Sequence, residues 1–396
     1  MLRYFRVKNF YSIRDEIELS LLLGASHPDD HLCVHSVSGE KISKVVLLAG
    51  HNASGKTNVL KTLAFLHWFM AHSFYALQPR EAIPFETHFL ASDQPSEFEL
   101  EFELDGYIWR YQLTLTQERV LHESLHRKEY RFVYIFRRDW NAEYNCYDIK
   151  LKKEFDLARS EAEKVRANCS LVSTAAQYGV GIAQKLVERN IKTNLAQTGK
   201  RSFNSMQQLL DAASFYQQNQ QVQQQMSQLL ARWDLGLHGV QLRAQEIVDQ
   251  NNDKKTLHIP YGVHRHDGKD YELELWRESS GTHSAFALLS LILPVLNQGG
   301  IAVIDEMESD LHPHILDAVL ALFFSRKTNP HEAQIIFSSH NHNQMGQLRK
   351  EQIVLVEKDG SLNTSIYQLS DVEGVRTDDN FYAKYMAGAY GGVPEI

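Results

Sequence analysis

Gly50-His51-Asn52-Ala53-Ser54-Gly55-Lys56-Thr57 is the stretch on which the reading of this chain turns. It follows Lys44-Val45-Val46-Leu47-Leu48-Ala49, an apolar run suited to a strand buried on both faces. It precedes a segment, Asn58 to Tyr75, whose apolar residues recur at helical spacing. Strand, glycine-bounded loop and helix in that order are the setting in which G-x-x-x-x-G-K-T cradles phosphates. The glycines let backbone N–H groups turn inward around a β-phosphate, and the helix N-terminus adds a favourable dipole. Lys56 neutralises phosphate charge, and the Thr57 hydroxyl can ligate Mg²⁺. Asn52, Ala53, Ser54, Gly55, Lys56, Thr57 and Asn58 are therefore the candidate ATP-binding residues of this segment.

A second buried strand, Ile301-Ala302-Val303-Ile304, ends in Asp305-Glu306. Two acids at a strand end mean little in isolation. Downstream of a phosphate-binding loop they read as Walker B: Asp305 in the Mg²⁺ shell with Thr57, and Glu306 polarising the attacking water.

The remainder of the chain is ordinary for a globular protein. With 396 residues, 43% hydrophobic and 23% charged, it can bury a full core without staples. Cys33, Cys146 and Cys169 show no C-x-x-C spacing, which argues against a disulfide framework or a zinc hook and fits a reducing cytoplasm. No membrane segment is expected, because the longest apolar run, Ala285 to Leu296, is short and holds Pro294. A net charge of −8 gives no global attraction to nucleic acid. The most basic stretch, Arg127 to Arg138, reads better as a strand with solvated flanks than as a dedicated nucleic-acid surface.

An α/β architecture with three parts is expected. Residues 1–156 form an N-terminal ATPase lobe with a β-rich subdomain, in which Asp105-Gly106 turns a hairpin between Glu97–Leu104 and Tyr107–Leu115. Residues 157–233 are rich in Ala, Gln, Glu and Lys and read as a helical insertion, although the patch Gln217 to Gln225 also has a linker's composition. As a returning hairpin at ~1.5 Å per residue, this insertion would reach only about 50 Å, a stubby arm or cap. Residues 234–396 resume the alternating pattern as a C-terminal ATPase lobe. His264 and His266 invite a metal reading, but Asp267-Gly268 makes a hairpin turn the better one.

Three smaller pieces resemble the ABC-type ATPases. Ser279-Ser280-Gly281-Thr282, just before a helix, is similar to the signature loop that reaches the γ-phosphate bound by an opposite head. Ser309-Asp310-Leu311-His312-Pro313 resembles the D-loop, and His340 within Ser338-Ser339-His340-Asn341 resembles the switch histidine. The resemblance implies a P-loop NTPase head whose sites form between two heads. Asn52 to Asn58 of one head would face Ser279, Ser280 and Gly281 of the other, with Glu306 and His340 catalytic.

The opening Phe5-Arg6-Val7-Lys8-Asn9-Phe10-Tyr11-Ser12-Ile13 resembles the recombination and chromosome-maintenance ATPases. Glu278–Thr282, with the tail Phe381–Tyr385 and Tyr390-Gly391-Gly392-Val393-Pro394, is similar to the RloA/AbiL-type ATPases of bacterial phage defence. That family implies a defence role and a separately encoded nuclease or toxin partner. The alternatives are a genome-maintenance ATPase that clamps DNA and a scaffold that binds ATP mainly to assemble. Two positions depart from the wider class: Tyr11 stands where a basic residue is common, and no local feature fixes the Q-loop glutamine, for which Gln94 lies in a plausible region. The chain shows no second catalytic constellation, so the nuclease is expected to be another protein.

Overall fold

The computed structural model describes residues 1–24, 27–28, 30–196, 203, 205–233, 235–248 and 254–393. The proposed boundary residue Asp234 and the tail residue Pro394 lie outside the described residues.

The strand before the phosphate-binding loop, Val45–Ala49, lies inside a six-stranded sheet. The order is Ile191–Thr193, Ile301–Ile304, Gln334–Ser338, Val45–Ala49, Ile353–Lys358, Thr364–Gln368. The first five strands are mutually parallel and the last pairs antiparallel. Parallel strands need both faces covered, and alternate side chains supply this. Val46 and Leu48 enter one hydrophobic core with the P-loop helix Lys56–Ala76. Val45, Leu47 and Ala49 enter a second core with the helix Ser280–Gln298, here called the signature helix. Ile301, Val303, Ile336, Val354 and Val356 fall on the first side; Ala302, Ile304, Ile335, Phe337, Ile353 and Leu355 fall on the second.

The signature helix has 19 residues and is long and apolar enough to cross a membrane by length and composition, longer than the apolar run alone suggests. Most of it is buried within the molecule instead, so its hydrophobicity is spent on the core.

The first core also carries a seven-stranded antiparallel sheet in the order Cys146–Leu151, Phe132–Asn141, Val120–Lys128, Tyr107–Leu115, Ser96–Leu104, Leu2–Lys8, Ile17–Ser20. The Asp105-Gly106 hairpin is formed, with φ of 52° and 77°, values that the tight turn demands and glycine tolerates. Val120–Lys128 has no clean apolar alternation, because the fully buried Glu123 sits where an apolar residue would be expected. Its carboxylate is instead bonded by the Tyr111 hydroxyl, the Ser170 hydroxyl and the Leu171 N–H.

The basic stretch Arg127 to Arg138 spans the end of that strand, a turn and most of the next strand. Its members are largely engaged. Arg138 is fully buried and donates to the carbonyls of Cys169, Val165 and Arg166, 3.6 Å from Glu123. Arg127 pairs with Glu129 and Glu154, and Arg137 with Asp139.

Within 157–233, the helices Leu171–Gln177 and Gly181–Val187 pack on the P-loop helix, and Ile191–Thr193 joins the parallel sheet beside the Walker B strand. The helices Met206–Gln218 and Gln220–Arg232 follow. Residues 157–233 therefore contribute to both cores, and the Gln-rich patch is helical except at Asn219. A three-stranded sheet, Gly239–Val248, Lys254–His266 and Lys269–Glu274, precedes the signature helix. His264 and His266 lie on the strand that runs into the expected turn at Asp267-Gly268; the His264 ring bonds the Gly236 carbonyl and the Glu278 carboxylate.

Candidate nucleotide site

The C-terminal ends of the parallel strands open into a cleft of ≈ 590 Å³ lined by Asn52, Ala53, Gly55, Lys56, Thr57, Asn58, Asp305, Glu306, His340 and Lys358. The loop between strand and helix is shaped by two glycines. A Cβ on Gly50 would lie 2.3 Å from the Val356 carbonyl oxygen. Gly55 caps the P-loop helix at φ 112°, and a Cβ there would come 2.2 Å from the Thr364 hydroxyl. Thr364 Oγ1 donates to the Ser54 carbonyl and lies 2.8 Å from Ser12 Oγ, which accepts from Asn58 Nδ2. Residues from the chain's start and from its far end thus clamp the loop. Ser54 itself is buried, and its hydroxyl has no partner among the described residues.

Lys56 spans the loop mouth, donating to the carbonyls of Gly50 and His51 at 2.8 and 2.9 Å. Burial pulls its pKa below the ordinary lysine value, and the carboxylates of Asp305, Glu308 and Glu306 oppose that shift.

Thr57 Oγ1 donates to Asp305 Oδ2 at 2.9 Å. Ser338 Oγ donates to Asp305 Oδ1 at 2.7 Å and accepts from the Glu306 N–H at 2.8 Å, so one hydroxyl joins the strand Gln334–Ser338 to both Asp305 and Glu306. Asn194, just after the edge strand, bonds both backbone groups of Asp305, each at 2.9 Å. Glu306 has φ 47°, a conformation uncommon for a non-glycine residue. His340 Nε2 lies 4.0 Å from Glu306 Oε1, and the His340 N–H donates to Glu308 Oε1. The neighbouring His342 has its pKa pushed down to about 4, first by burial and then by the proximity of Lys56 and His340.

The oxygen donors of Thr57 and Asp305 suit a hard dication such as Mg²⁺, which keeps several waters and takes few protein ligands.

Ser279, Ser280 and Gly281 are not brought to this cleft. Ser279 caps the signature helix through Thr282, and Ser280 is exposed at its first turn. A Cβ on Gly281 would lie 2.9 Å from the Asp310 carbonyl, so the turn at Ser279–Gly281 packs against the segment at Asp310 of its own chain. Gln94 does not line the cleft; its carbonyl accepts from Asn9. The Tyr11 ring lies beneath the Lys61 ammonium of the P-loop helix, 4.1 Å from the ring centre.

Residue patterns did not single out a role for Ser12, Asn194, Lys358 or Thr364. Each acts across a large sequence separation. Ser338 was visible only as the neighbour of His340.

Fold and cleft together define a P-loop NTPase of the ABC-type ATPase-head class, with an antiparallel β subdomain. The chain belongs to the family described as "AAA domain, putative AbiEii toxin, Type IV TA system", whose model matches residues 45–344. Among solved structures it is similar to an SMC head bound to the C-terminal winged-helix domain of ScpA (12% identity, 93% of this chain and 99% of that one, TM-score 0.49). It is also similar to the SMC head of Thermotoga maritima (13%, 93% and 98%, TM-score 0.42). A third is an SMC head with an extended coiled coil bound to the C-terminal domain of ScpA derived from Pyrococcus furiosus (10%, 93% and 97%, TM-score 0.44). No curated protein matches the sequence.

Proposed function

We propose that this protein binds and hydrolyses ATP as a switch that works by head pairing, and that the switch serves bacterial anti-phage defence by controlling a separately encoded nuclease or toxin. The observation that carries the proposal is the division of the expected machinery. Lys56, Thr57, Asp305, Glu306 and His340 share one cleft, while Ser279, Ser280 and Gly281 lie outside it with Ser280 exposed. A second copy would supply its own signature residues to complete the site.

Bound at Thr57 and Asp305, Mg²⁺ would shield phosphate charge. Lys56 and the loop N–H groups hold the phosphates, and the helix N-terminus complements their charge. Glu306 orients a water and accepts its proton as the water oxygen bonds to the γ-phosphorus and the bond to the β-bridging oxygen breaks, giving ADP and phosphate. His340 contacts the γ-phosphoryl group, so its loop registers whether that group is present. Catalysis here is positioning and charge stabilisation, with no covalent intermediate on the protein.

The defence reading rests on the AbiEii-type family description and on the similarity of the signature region and C-terminal tail to RloA/AbiL-type ATPases. DNA clamping by the isolated chain has less support, since Arg127, Arg137 and Arg138 are engaged by acids or backbone carbonyls.

The test is light scattering after size exclusion on wild type and Glu306→Gln, with and without ATP·Mg²⁺, each alone and co-expressed with the neighbouring gene product. ATP-dependent pairing that is prolonged in Glu306→Gln and retains the neighbour is the expected result. A Glu306→Gln protein that stays monomeric and still hydrolyses ATP would overturn the proposal.

A further inference from the structure

Lys358 lines the nucleotide cleft but belongs to none of the recognised motifs. It ends the strand Ile353–Lys358 and pairs with Thr364, the residue whose hydroxyl bonds the Ser54 carbonyl. In the sheet, the Asp305 and Ser338 strands lie on one side of the P-loop strand, and the Lys358 strand lies on the other. Lys358 therefore approaches the loop from the flank opposite Glu306 and His340.

The preceding residue is held firmly. Glu357 Oε1 accepts from the Gly392 N–H at 2.5 Å and lies 2.8 Å from the Tyr367 hydroxyl. That hydroxyl also lies 2.9 Å from the Tyr390 carbonyl, and the Tyr385 hydroxyl donates to the Gly392 carbonyl at 2.8 Å. Gly391, at φ 76°, leaves no room for a side chain, since a Cβ would lie 2.3 Å from Glu357 Oε1 and 2.7 Å from the Tyr367 oxygen. The C-terminal segment thus closes on Glu357. Successive strand residues point to opposite faces, so gripping Glu357 on one side fixes how Lys358 enters the cleft on the other.

We propose that Lys358 is a second cationic contact for the bound nucleoside triphosphate, on the flank away from the hydrolytic residues, and that the Tyr385–Gly392 tail positions it through Glu357. The inference rests on the ATP reading above. Because Lys358 enters from the flank opposite Glu306, it contributes to nucleotide affinity and leaves the hydrolytic step alone.

The experiment is ATP·Mg²⁺ binding by calorimetry and steady-state ATPase on full-length wild type, Lys358→Gln, Lys358→Arg, Glu357→Gln and the Glu357→Gln/Lys358→Gln pair. Loss of a charge-assisted contact predicts that Lys358→Gln raises Kd and KM about tenfold, with kcat at saturation within about twofold of wild type. Lys358→Arg restores most of the affinity. Glu357→Gln raises Kd by a smaller factor and adds little once Lys358 is gone. Wild-type affinity in Lys358→Gln, or full additivity of the pair, would overturn the inference while leaving the ATP reading intact. Wild type that binds no ATP would overturn both.

Discussion

Replacing Asn194 with alanine tests how far the Walker B aspartate depends on a residue more than a hundred positions away. The Asn194 side chain is almost wholly buried and bonds both the N–H and the C=O of Asp305, which is itself buried. Alanine removes both of these buried bonds, at a cost of about 1–3 kcal/mol each, so about 2–6 kcal/mol together. Unfolding entropy near 2.1 cal/mol/K per residue puts a chain of 396 residues close to ~0.8 kcal/mol/K, so the melting temperature should fall by about 2–7 °C. The carboxylate keeps its bonds from Thr57 and Ser338, so ATP binding should survive while Mg²⁺-dependent turnover falls as the strand end loosens. Differential scanning fluorimetry and ATPase assays over a Mg²⁺ titration measure the two effects. A melting temperature within 1 °C of wild type, with an unchanged Mg²⁺ dependence, would refute the argument.

Two further outcomes are expected. Gly55→Ala combines a left-handed backbone with overlap onto the Thr364 hydroxyl, and should abolish ATP binding by equilibrium titration while the chain stays folded by circular dichroism; retained micromolar-range binding would contradict the loop geometry. His264 has its pKa raised above the usual histidine value, first by its hydrogen bond to Glu278, which immediately precedes Ser279. Because the folded-state pKa is the higher one, this contact contributes fully below the unfolded value of about 6.5 and is lost as pH rises through the folded value. Wild type should therefore out-melt His264→Gln at pH 6 by more than at pH 8.5, and equal gaps at both would show that the pair is unimportant.

What the sequence determined by itself was local. Gly50 to Thr57 between an apolar strand and a helix needs only near neighbours to be legible, because a phosphate loop is built from consecutive backbone N–H groups. The same holds for the Asp105-Gly106 and Asp267-Gly268 turns, where the backbone conformation is set within a few residues, whereas Asp305-Glu306 took its meaning from the phosphate loop far upstream. Tertiary structure decided everything that crosses between segments. Ile191–Thr193 is too short to announce itself as a strand and is one because the Walker B strand offers it a parallel edge. Val120–Lys128 was hidden by Glu123, whose burial is tolerable only because Tyr111, Ser170 and Leu171 converge on it. Asn194 and Ser338 bond Asp305, Thr364 bonds the phosphate loop at Ser54, and Lys358 lines the cleft, because the sheet brings together strand ends distant in sequence. Side-chain hydrogen bonds are satisfied in space rather than along the chain, so no spacing in the sequence encodes them.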